Sequence, residues 1–393
     1  MLENKNILFL THSYANFQKD QIELLAPHFN KVYVLVRYKP IAEISNYIHY
    51  IEAKNHTYKN QFDLNSKPAN VTVLAVPLWY LPFDFFYKRL GNYHLRIAKN
   101  IIRKHKITFD IIHAHFLWTA GYVAVKLKEM YNIPIVITGH GEDIYDYPFR
   151  NKFYMENIKY IIDHSNYLIT VSKSNYVCIQ KININKTAII IPNGFKTELF
   201  YPKSQEECRN KLKIPKNKKI ILNVGNLVLL KGTKYLIDAV KILSNKYPDI
   251  LCIIIGEGGL RNSLQKQITK LNLQNNIKLI GAIRHEEISD WMNACDIFAL
   301  PSIRESFGVV QIEAMACGKP VVATINGGSE EIITSEDVGF LCEKENAIDL
   351  AEKLEMALNK NWVKEKILKH AQNYTWERAV KEILNVYVNL MKP

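Results

Sequence analysis

Short runs of consecutive apolar residues alternate along the chain with longer segments in which apolar positions recur every three or four residues. The first runs are Asn6–Thr11 and Lys31–Val36, and a helical segment near Lys19–Ala26 separates them. Strands buried on both faces have this continuous apolar character and belong to parallel sheets with helical crossovers. The alternation therefore predicts an α/β fold built on a doubly wound parallel sheet.

The pattern occurs twice, so two domains are predicted in the 393 residues. Further strands of the first domain are predicted near Val71–Val76, Asp110–Ala114, Ile133–Thr138, Tyr167–Val171 and Ala188–Ile191. Strands of the second are predicted at Lys219–Val224, Ile250–Ile255, Ile277–Gly281, Ile297–Leu300, Pro320–Thr324 and Val338–Leu341. Because Phe195–Pro202 has the character of a linker, the predicted domains are 1–197 and 198–375, followed by an amphipathic segment at 376–393.

Composition limits the function only broadly. The net charge of +13 and the pI near 9.2 favour anionic partners, which include nucleic acid, anionic lipid and phosphorylated substrates. The six cysteines are scattered and show no metal-ligand spacing, as expected in a reducing compartment. No secretory signal and no membrane-spanning run is evident, so we expect a cytoplasmic protein, soluble or peripheral to the inner face of the cytoplasmic membrane.

One segment, 78–106, combines aromatic residues with positive charge. Seven Lys or Arg residues and one acid, Asp84, lie between Val76 and Lys106. Three interpretations stay open: a core-packed helix with a solvated basic face, a surface that docks on anionic lipid, and a binding site for an anionic acceptor.

Two carboxylates flank the start of a short helix after the predicted strand Ile297–Leu300. Glu305 lies in the loop, and Glu313 lies inside a helix predicted to begin near Gly308. Ligands of open α/β sheets bind at the carboxyl ends of the strands, and the free amides near 307–309 suit a phosphate. Since Glu313 could accept hydrogen bonds from hydroxyls, the sequence predicts a ligand with a phosphate and sugar hydroxyls.

Two further strands of the second domain end in glycine-containing loops. Gly225 permits a close approach of a ligand, and Lys231 precedes a helix predicted to begin at Thr233, where its charge adds to that of the free amides. The cluster 256–259 follows the next strand at the same edge. The loop 11–17 after the first strand has no glycine, which argues against a typical NAD-binding domain.

The segment from Glu305 to Val322 carries a specific resemblance. Ser-Phe-Gly follows Glu305, and Ala-Met-Ala-Cys-Gly-Lys-Pro-Val-Val follows Glu313. This pattern resembles the signature of the retaining GT-B glycosyltransferases, the "glycosyl transferases group 1" family (family 4-like), which includes enzymes for cell-surface polysaccharides and lipid-linked sugars. The resemblance implies two Rossmann-like domains that face a cleft, with a C-terminal helix that crosses back to the first domain.

Shorter elements resemble the same family, with two departures. The family's His-Gly-x-Asp element matches His140 to Asp143, and its Pro-Asn-Gly hinge matches 192–194, although Lys196 replaces the usual Asp. The family's Gly-Arg-Leu-x-Lys-Gly element resembles 225–232, but Asn226 stands where the family commonly has Arg. One of the two cations expected to bind the diphosphate is thus absent. Arg304 and Arg261 are the candidates to supply its charge.

The resemblance implies site roles. His140, Lys231 and Glu305 would be catalytic, with Asp143 on the acceptor side, whereas we interpreted His115 as structural. The implied donor-binding residues are Gly225, Asn226, Lys231, Gly256, Glu257, Gly258, Ile283, Arg284, Glu305, Ser306, Phe307, Gly308, Val309 and Glu313.

The implied reaction is transfer of a hexose, with retention, from a nucleoside-diphosphate sugar to a lipid-linked or cell-envelope glycan. No cofactor is expected, and no metal, because the sequence contains no Asp-x-Asp. No specific nucleic-acid partner is expected either. A nucleotide-sugar epimerase and a non-catalytic partner subunit are the alternatives, and Asn226 keeps the second one open.

Overall fold

The computed structural model describes residues 2–46, 57–81 and 83–392. The chain forms two compact units: Met1–Asn193 together with Trp376–Pro393, and Gly194–Thr375. The unit boundary lies before the predicted linker because Phe195 is already tied to the second unit. Phe195 forms a parallel β-bridge with Thr375, and its amide donates to the Tyr374 carbonyl at 3.1 Å.

The first unit contains a seven-stranded sheet in the order β3-β2-β1-β4-β5-β6-β7, in which all neighbours are parallel. Its strands are β1 Asn6–Thr11, β2 Lys31–Tyr38, β3 Val71–Pro77, β4 Ile111–His115, β5 Ile135–Gly139, β6 Tyr167–Thr170 and β7 Ile189–Ile190. The order reverses between β1 and β4, as in doubly wound folds.

Both faces of this sheet are covered by helices. They are α1 Asn16–Leu25, α2 Tyr58–Gln61, α3 Asp84–Lys104, α4 Tyr122–Tyr131, α5 Glu142–Tyr145, α6 Tyr147–Arg150, α7 Lys152–His164 and α8 Lys173–Ile182. Strand β1 shows why its apolar run is continuous: Leu8 and Leu10 join one hydrophobic cluster, whereas Ile7 and Phe9 join the other. All four side chains are fully buried, as expected for a strand sandwiched between helical layers.

The second unit contains a six-stranded parallel sheet in the order β10-β9-β8-β11-β12-β13. Its strands are β8 Lys219–Val224, β9 Ile250–Ile255, β10 Ile277–Gly281, β11 Ile297–Leu300, β12 Val321–Thr324 and β13 Gly339–Cys342. Its helices are α9 Gln205–Lys211, α10 Thr233–Ser244, α11 Arg261–Lys270, α12 His285–Ala294, α13 Val309–Ala316, α14 Ser329–Ile332, α15 Ala347–Asn359 and α16 Lys364–Ala371. This sheet also reverses its order, between β8 and β11.

The last helix, α17 Trp376–Leu390, belongs to the first unit. Its apolar face, which includes Trp376, Val380 and Ile383, is buried in the same cluster as Ile7 and Phe9. Short 3₁₀ or π-helical turns complete the described elements at Ala26–His28, Pro40–Asn46, Leu117–Gly121, Leu229–Lys231 and Gln372–Tyr374. The predicted fold class, two doubly wound α/β domains, is confirmed.

The basic aromatic segment 78–106 forms mainly α3, and Pro82 within it lies outside the described residues. Leu90, His94 and Ala98 line the buried face of α3, whereas several of its arginines are exposed. All six cysteines are buried and free. Within the described ranges, no helix combines the length and the apolar character needed to cross a bilayer.

Candidate active site

The reversal point of the second sheet brings two loops together. Strands β8 and β11 are neighbours, and the loops that follow them, 225–232 and 301–308, leave the same carboxyl edge. The Ile303 amide donates to the Leu230 carbonyl at 2.8 Å, which joins the two loops directly. This edge is where open α/β sheets bind ligands, because the crossovers diverge there and leave a crevice.

Lys231 and Glu305 form an ion pair across these loops. Lys231 Nζ lies 2.5 Å from Glu305 Oε1, and the Ser302 hydroxyl donates to the same carboxylate oxygen at 2.7 Å. The carboxylate side chain is 10% exposed and the lysine 30%, so the pair is partly shielded from water. The two predicted catalytic groups of this unit therefore lie in direct contact.

Two glycines allow the loops to pack this closely. Gly232 has φ +61°, and a Cβ there would lie 2.0 Å from the Pro301 carbonyl oxygen. Gly256 has φ +148°, and a Cβ there would lie 1.9 Å from the Gly225 carbonyl oxygen. Both positions require glycine for loop contact, whereas a Cβ at Gly225 would meet only the Lys231 side chain at 3.9 Å.

Helix α13 begins at this site, because Gly308 takes a left-handed conformation with φ +84° and Val309 is the first helical residue. The first amides of a helix have no intrahelical acceptor and carry partial positive charge, which suits an anion. One turn into α13, Glu313 is 3% exposed, and its Oε1 lies 2.8 Å from His285 Nε2. Sequence reasoning did not include His285, whose only signal was its position at the start of a predicted helix.

The remaining predicted donor residues have less direct roles. Asn226 is exposed, Ile283 is half-buried and Phe307 is buried. The Arg261 Nη1 donates to Glu257 at 2.9 Å, so its charge is offset by that carboxylate and is a poor substitute for the expected cation. Arg284 is exposed and pairs with Glu287.

His140 follows β5 in the first unit and belongs to a buried row of histidines. His140 Nε2 lies 2.9 Å from His115 Nδ1, and the two rings stack with centroids 5.1 Å apart. His113 stacks on His115 at 4.8 Å and hydrogen-bonds to Thr138 and Tyr387. We interpreted His115 as structural from the sequence, and the structure gives it a direct contact with His140.

Burial keeps this row uncharged. It lowers the pKa of His115 to about 3 and holds the pKa values of His113 and His140 well below the usual range. A neutral imidazole has one N–H. Two tautomeric arrangements satisfy the His115–His140 hydrogen bond. Each leaves one buried N–H without an acceptor among the described residues, on His115 Nε2 when His140 donates or on His140 Nδ1 when His115 donates. The hydrogen bond therefore holds the two rings together in either arrangement.

The neighbours of His140 fix the position of its ring. Its Nδ1 is buried and has no hydrogen-bond partner in the described part of the chain. The rings of Phe17 and Phe116 lie against the His140 ring at 5.0 and 4.8 Å. His140 is thus held by His115 and by two aromatic rings, and Nδ1 is the ring nitrogen left for a further hydrogen bond.

Asp143 is held by backbone amides. Its side chain is 2% exposed, and its two carboxylate oxygens accept from the amides of Leu117, His140 and Gly141. Burial raises the pKa of Asp143 to about 6, against the lowering effect of these amides. The carboxylate thus positions the His140 loop, and the acceptor-side contact of Asp143 stays a prediction.

Taken with the fold, this edge geometry defines a class of protein, the GT-B glycosyltransferases. The model of the family "Glycosyl transferases group 1" matches residues 204–375, and that of "Glycosyltransferase Family 4" matches residues 54–199. An uncharacterised glycosyltransferase of Methanocaldococcus jannaschii is 32% identical over 75% of this chain and 79% of its own length. The chain belongs to this glycosyltransferase family.

Other known proteins agree with this assignment. A D-inositol 3-phosphate glycosyltransferase of Corynebacterium diphtheriae is 30% identical over 72% of this chain and 71% of its own length. Sucrose-phosphate synthase of Thermosynechococcus elongatus has a TM-score of 0.82 at 21% identity, covering 98% of this chain and 99% of its own. HepE of Anabaena, solved in complex with UDP, has a TM-score of 0.74 at 22% identity, covering 98% and 100%. These two structures show the same fold.

Proposed function

We propose that this chain transfers a hexose, with retention, from a nucleoside-diphosphate sugar to a lipid-linked or cell-envelope glycan. The observation that carries the proposal is the Lys231–Glu305 pair beside the start of α13, at the point where the strand order reverses. Family membership alone gives the class of reaction, whereas these groups suggest how the donor is held.

The donor diphosphate would lie against Lys231 and the first amides of α13. Negative charge develops on the diphosphate as the sugar leaves, and preorganised positive groups stabilise that charge best in a water-poor site. Lys231 and the amides must supply most of this stabilisation, because Asn226 is uncharged. We expect the reaction to proceed without a divalent metal, and activity that persists in EDTA would support this.

The two carboxylates would recognise the rest of the donor. Glu305 would accept from the hydroxyls of the transferred sugar, and Glu313 from those of the ribose. His140 would contact the transferred sugar. In a front-face reaction the acceptor hydroxyl bonds to the anomeric carbon while the bond to the diphosphate breaks, and the hydroxyl proton passes to a diphosphate oxygen. No covalent intermediate on a side chain is required.

The relatives suggest the donor to test first. HepE has been solved with UDP and with UDP-glucose. We therefore place UDP-glucose at the head of a panel of nucleoside diphosphates and their sugars, tested by thermal shift on the full chain. A bound ligand raises the unfolding temperature by mass action, so the panel ranks base and sugar together.

Transfer itself distinguishes the alternatives. The preferred labelled donor is incubated with membrane lipid extract, and we expect label in the lipid fraction with wild type but not with Lys231→Ala or Glu305→Ala. Conversion of the donor sugar without any transfer would indicate an epimerase. Binding without either reaction would indicate a non-catalytic partner subunit, the alternative that Asn226 keeps open.

We also propose that residues 78–106 dock on the inner face of the cytoplasmic membrane. Trp79, Phe83 and Phe85 are about three-fifths exposed, at 64, 61 and 58%. Arg89 Cζ lies 3.6 Å from the centroid of the Phe85 ring, and Arg96 on the same helix is exposed. Apolar and cationic groups are therefore available on this segment for anionic lipid. Co-sedimentation with phosphatidylglycerol vesicles that is lost in Trp79→Ser/Phe85→Ser, with phosphatidylcholine vesicles as control, tests this proposal.

A further inference from the structure

A cavity of ≈470 Å³ lies in the first unit, at the carboxyl ends of β2 and β3. Its volume is within the range of small-molecule sites, about 300–1,000 Å³. The residues that matter in its wall are Arg37, Lys39, Tyr80, Phe83, Tyr87 and Arg150. Tyr80, Phe83 and Tyr87 belong to segment 78–106, for which a site for an anionic acceptor was one interpretation, whereas Arg37, Lys39 and Arg150 were not predicted from the sequence.

Arg37 is the strongest sign that this cavity takes a ligand. Its Nη1 is buried, and among the described residues it has neither a hydrogen-bond partner there nor a carboxylate paired with its guanidinium. Burial opposes its charge, but the neighbouring hydroxyls of Tyr80 and Tyr87 raise the pKa of Arg37 above its usual value. Arg37 as a whole is half-buried, and its guanidinium has a side-chain hydrogen bond with Tyr87. The buried Nη1 is the part that the described residues leave unsatisfied, and an anion in the cavity would satisfy it.

Lys39 adds a second cation to the same wall. Its Nζ lies 4.8 Å from the centroid of the Tyr80 ring, and no carboxylate of the described chain forms an ion pair with it. Burial and then the charge of Arg37 lower the pKa of Lys39. An anion placed between the two side chains would relieve both effects, because opposite charge favours the protonated form.

The other charged groups of the wall are already paired. Arg150 Nε donates to Asp146 at 2.8 Å. Asp84 accepts from Lys88 at 2.7 Å and from the Tyr154 hydroxyl at 2.8 Å. The uncompensated charge of the cavity therefore comes from Arg37 and Lys39, and it is positive.

The rest of the wall is largely aromatic. Tyr80, Phe83 and Tyr87 offer ring faces, and the tyrosines add hydroxyls that can hydrogen-bond. Such a surface suits the C–H face and the hydroxyls of a sugar or cyclitol ring. A ring that carries a phosphate would match both parts of the cavity.

We propose that this cavity binds a phosphate-bearing ring of the acceptor, with the phosphate on Arg37 and Lys39 and the ring against Tyr80 and Tyr87. The ring is either a free sugar phosphate or the head group of a lipid, and Phe83 belongs both to the cavity and to the exposed aromatic segment. The assignment of this ligand as acceptor rests on the proposed transfer function.

Binding to the full chain is measured by calorimetry with defined probes. Glucose 6-phosphate, glucose and inorganic phosphate are titrated separately, and phosphatidylinositol vesicles are compared in co-sedimentation with phosphatidylglycerol vesicles of equal charge. We expect glucose 6-phosphate to bind at least ~10-fold more tightly than glucose or phosphate, the difference that one charge-assisted contact provides. Preference for phosphatidylinositol vesicles instead would assign the ring to a lipid head group and equally support the proposal.

Variants test the two cations. Lys39→Met should weaken binding of the preferred probe at least ~10-fold, and Arg37→Lys, which keeps the charge but loses the planar fork, should weaken it by less. Lys31→Met is the matched control, because Lys31 is exposed at the opposite end of β2. Thermal unfolding of each variant verifies that it is folded.

Two results would overturn the inference: no probe that carries a phosphorylated ring binds better than glucose or phosphate, or Lys39→Met binds like Lys31→Met. A nucleoside diphosphate is titrated in parallel. If wild type fails to bind that ligand, the proposed donor function fails, whereas failure of the ring phosphates alone counts only against this cavity.

Discussion

His115 Nδ1 and His140 Nε2 share a hydrogen bond of 2.9 Å between two buried, neutral rings. This contact fixes the orientation of the His140 ring. His115 therefore acts through His140 as a positioning residue.

Removing this hydrogen bond should impair turnover. We expect His115→Phe, which keeps a buried ring but offers no donor, to lower kcat about 10-fold, since one buried hydrogen bond to a functional group contributes about 1–2 kcal/mol. The affinity for the nucleoside diphosphate should be unchanged, because its predicted contacts lie in the other unit. His115→Asn can donate from its amide, so it should recover most of the lost turnover, and equal kcat values for the Phe and Asn variants would contradict the positioning role.

Breaking the Lys231–Glu305 pair should reduce catalysis more than the loss of the His115–His140 hydrogen bond. Lys231→Met should lower kcat/KM by roughly 10²–10³-fold, the usual loss when a group that stabilises transition-state charge is removed. Glu305, with its side chain 10% exposed, would also lose its cation, so the unfolding temperature should fall. Lys234→Met removes an exposed lysine close by on α10 and serves as the control, and similar kinetics for the two variants would argue against a role for Lys231.

Glu313 can be tested through the ligand. If it accepts hydrogen bonds from ribose hydroxyls, Glu313→Gln should weaken binding of the nucleoside diphosphate about 10-fold or more. The same substitution should have little effect on the 2′,3′-dideoxy form, which has no hydroxyls to lose. Calorimetry of both ligands with both proteins forms a double-mutant cycle, and parallel losses for the two ligands would point to a structural effect through His285.

The buried histidines predict acid sensitivity of the first unit. His94, like His115, has its pKa lowered to about 3 by burial, so each is neutral when folded and gains a proton on unfolding below about pH 6.5. Their stabilisation is complete above that pH and is lost as the pH falls toward 3, by up to about 1.4 kcal/mol per pH unit for each histidine. Asp143, with its pKa raised to about 6, opposes this trend as the pH falls through its folded pKa.

Urea unfolding at about pH 7.5, 6.5 and 5.5 measures this slope. His94→Gln should reduce the slope of the unfolding free energy against pH by the contribution of about one bound proton. His105→Gln alters an exposed histidine and should leave that slope unchanged. A slope in His94→Gln that equals that of wild type would show that His94 does not carry the acid sensitivity.

The strands were predictable because parallel strands buried on both faces are continuous apolar runs. Lys219–Val224, Ile250–Ile255 and Ile297–Leu300 coincide with β8, β9 and β11. Strand β7 was predicted too long: only Ile189–Ile190 pairs, and both side chains are exposed at the sheet edge. The length of an apolar run does not show how many of its residues pair with the neighbouring strand.

It was harder to predict which residues contact one another within the site. Lys231 and Glu305 are 74 positions apart, and they meet because β8 lies next to β11, an order that no local pattern encodes. The position of Asp143 suggested a ligand contact, but its carboxylate is engaged by amides that a sequence motif does not reveal. The same holds for Arg37, whose unpaired Nη1 is a property of packing.

The return of α17 to the first unit has a consequence during synthesis. The Tyr387 hydroxyl completes the histidine row by its contact with His113, 274 positions earlier. The second unit, Gly194–Thr375, is continuous and emerges from the ribosome before α17 does. The apolar face of the first unit that α17 covers therefore stays exposed while the whole second unit is translated. Truncation before α17 should leave that face exposed permanently and yield chains that a cell's quality-control machinery recognises.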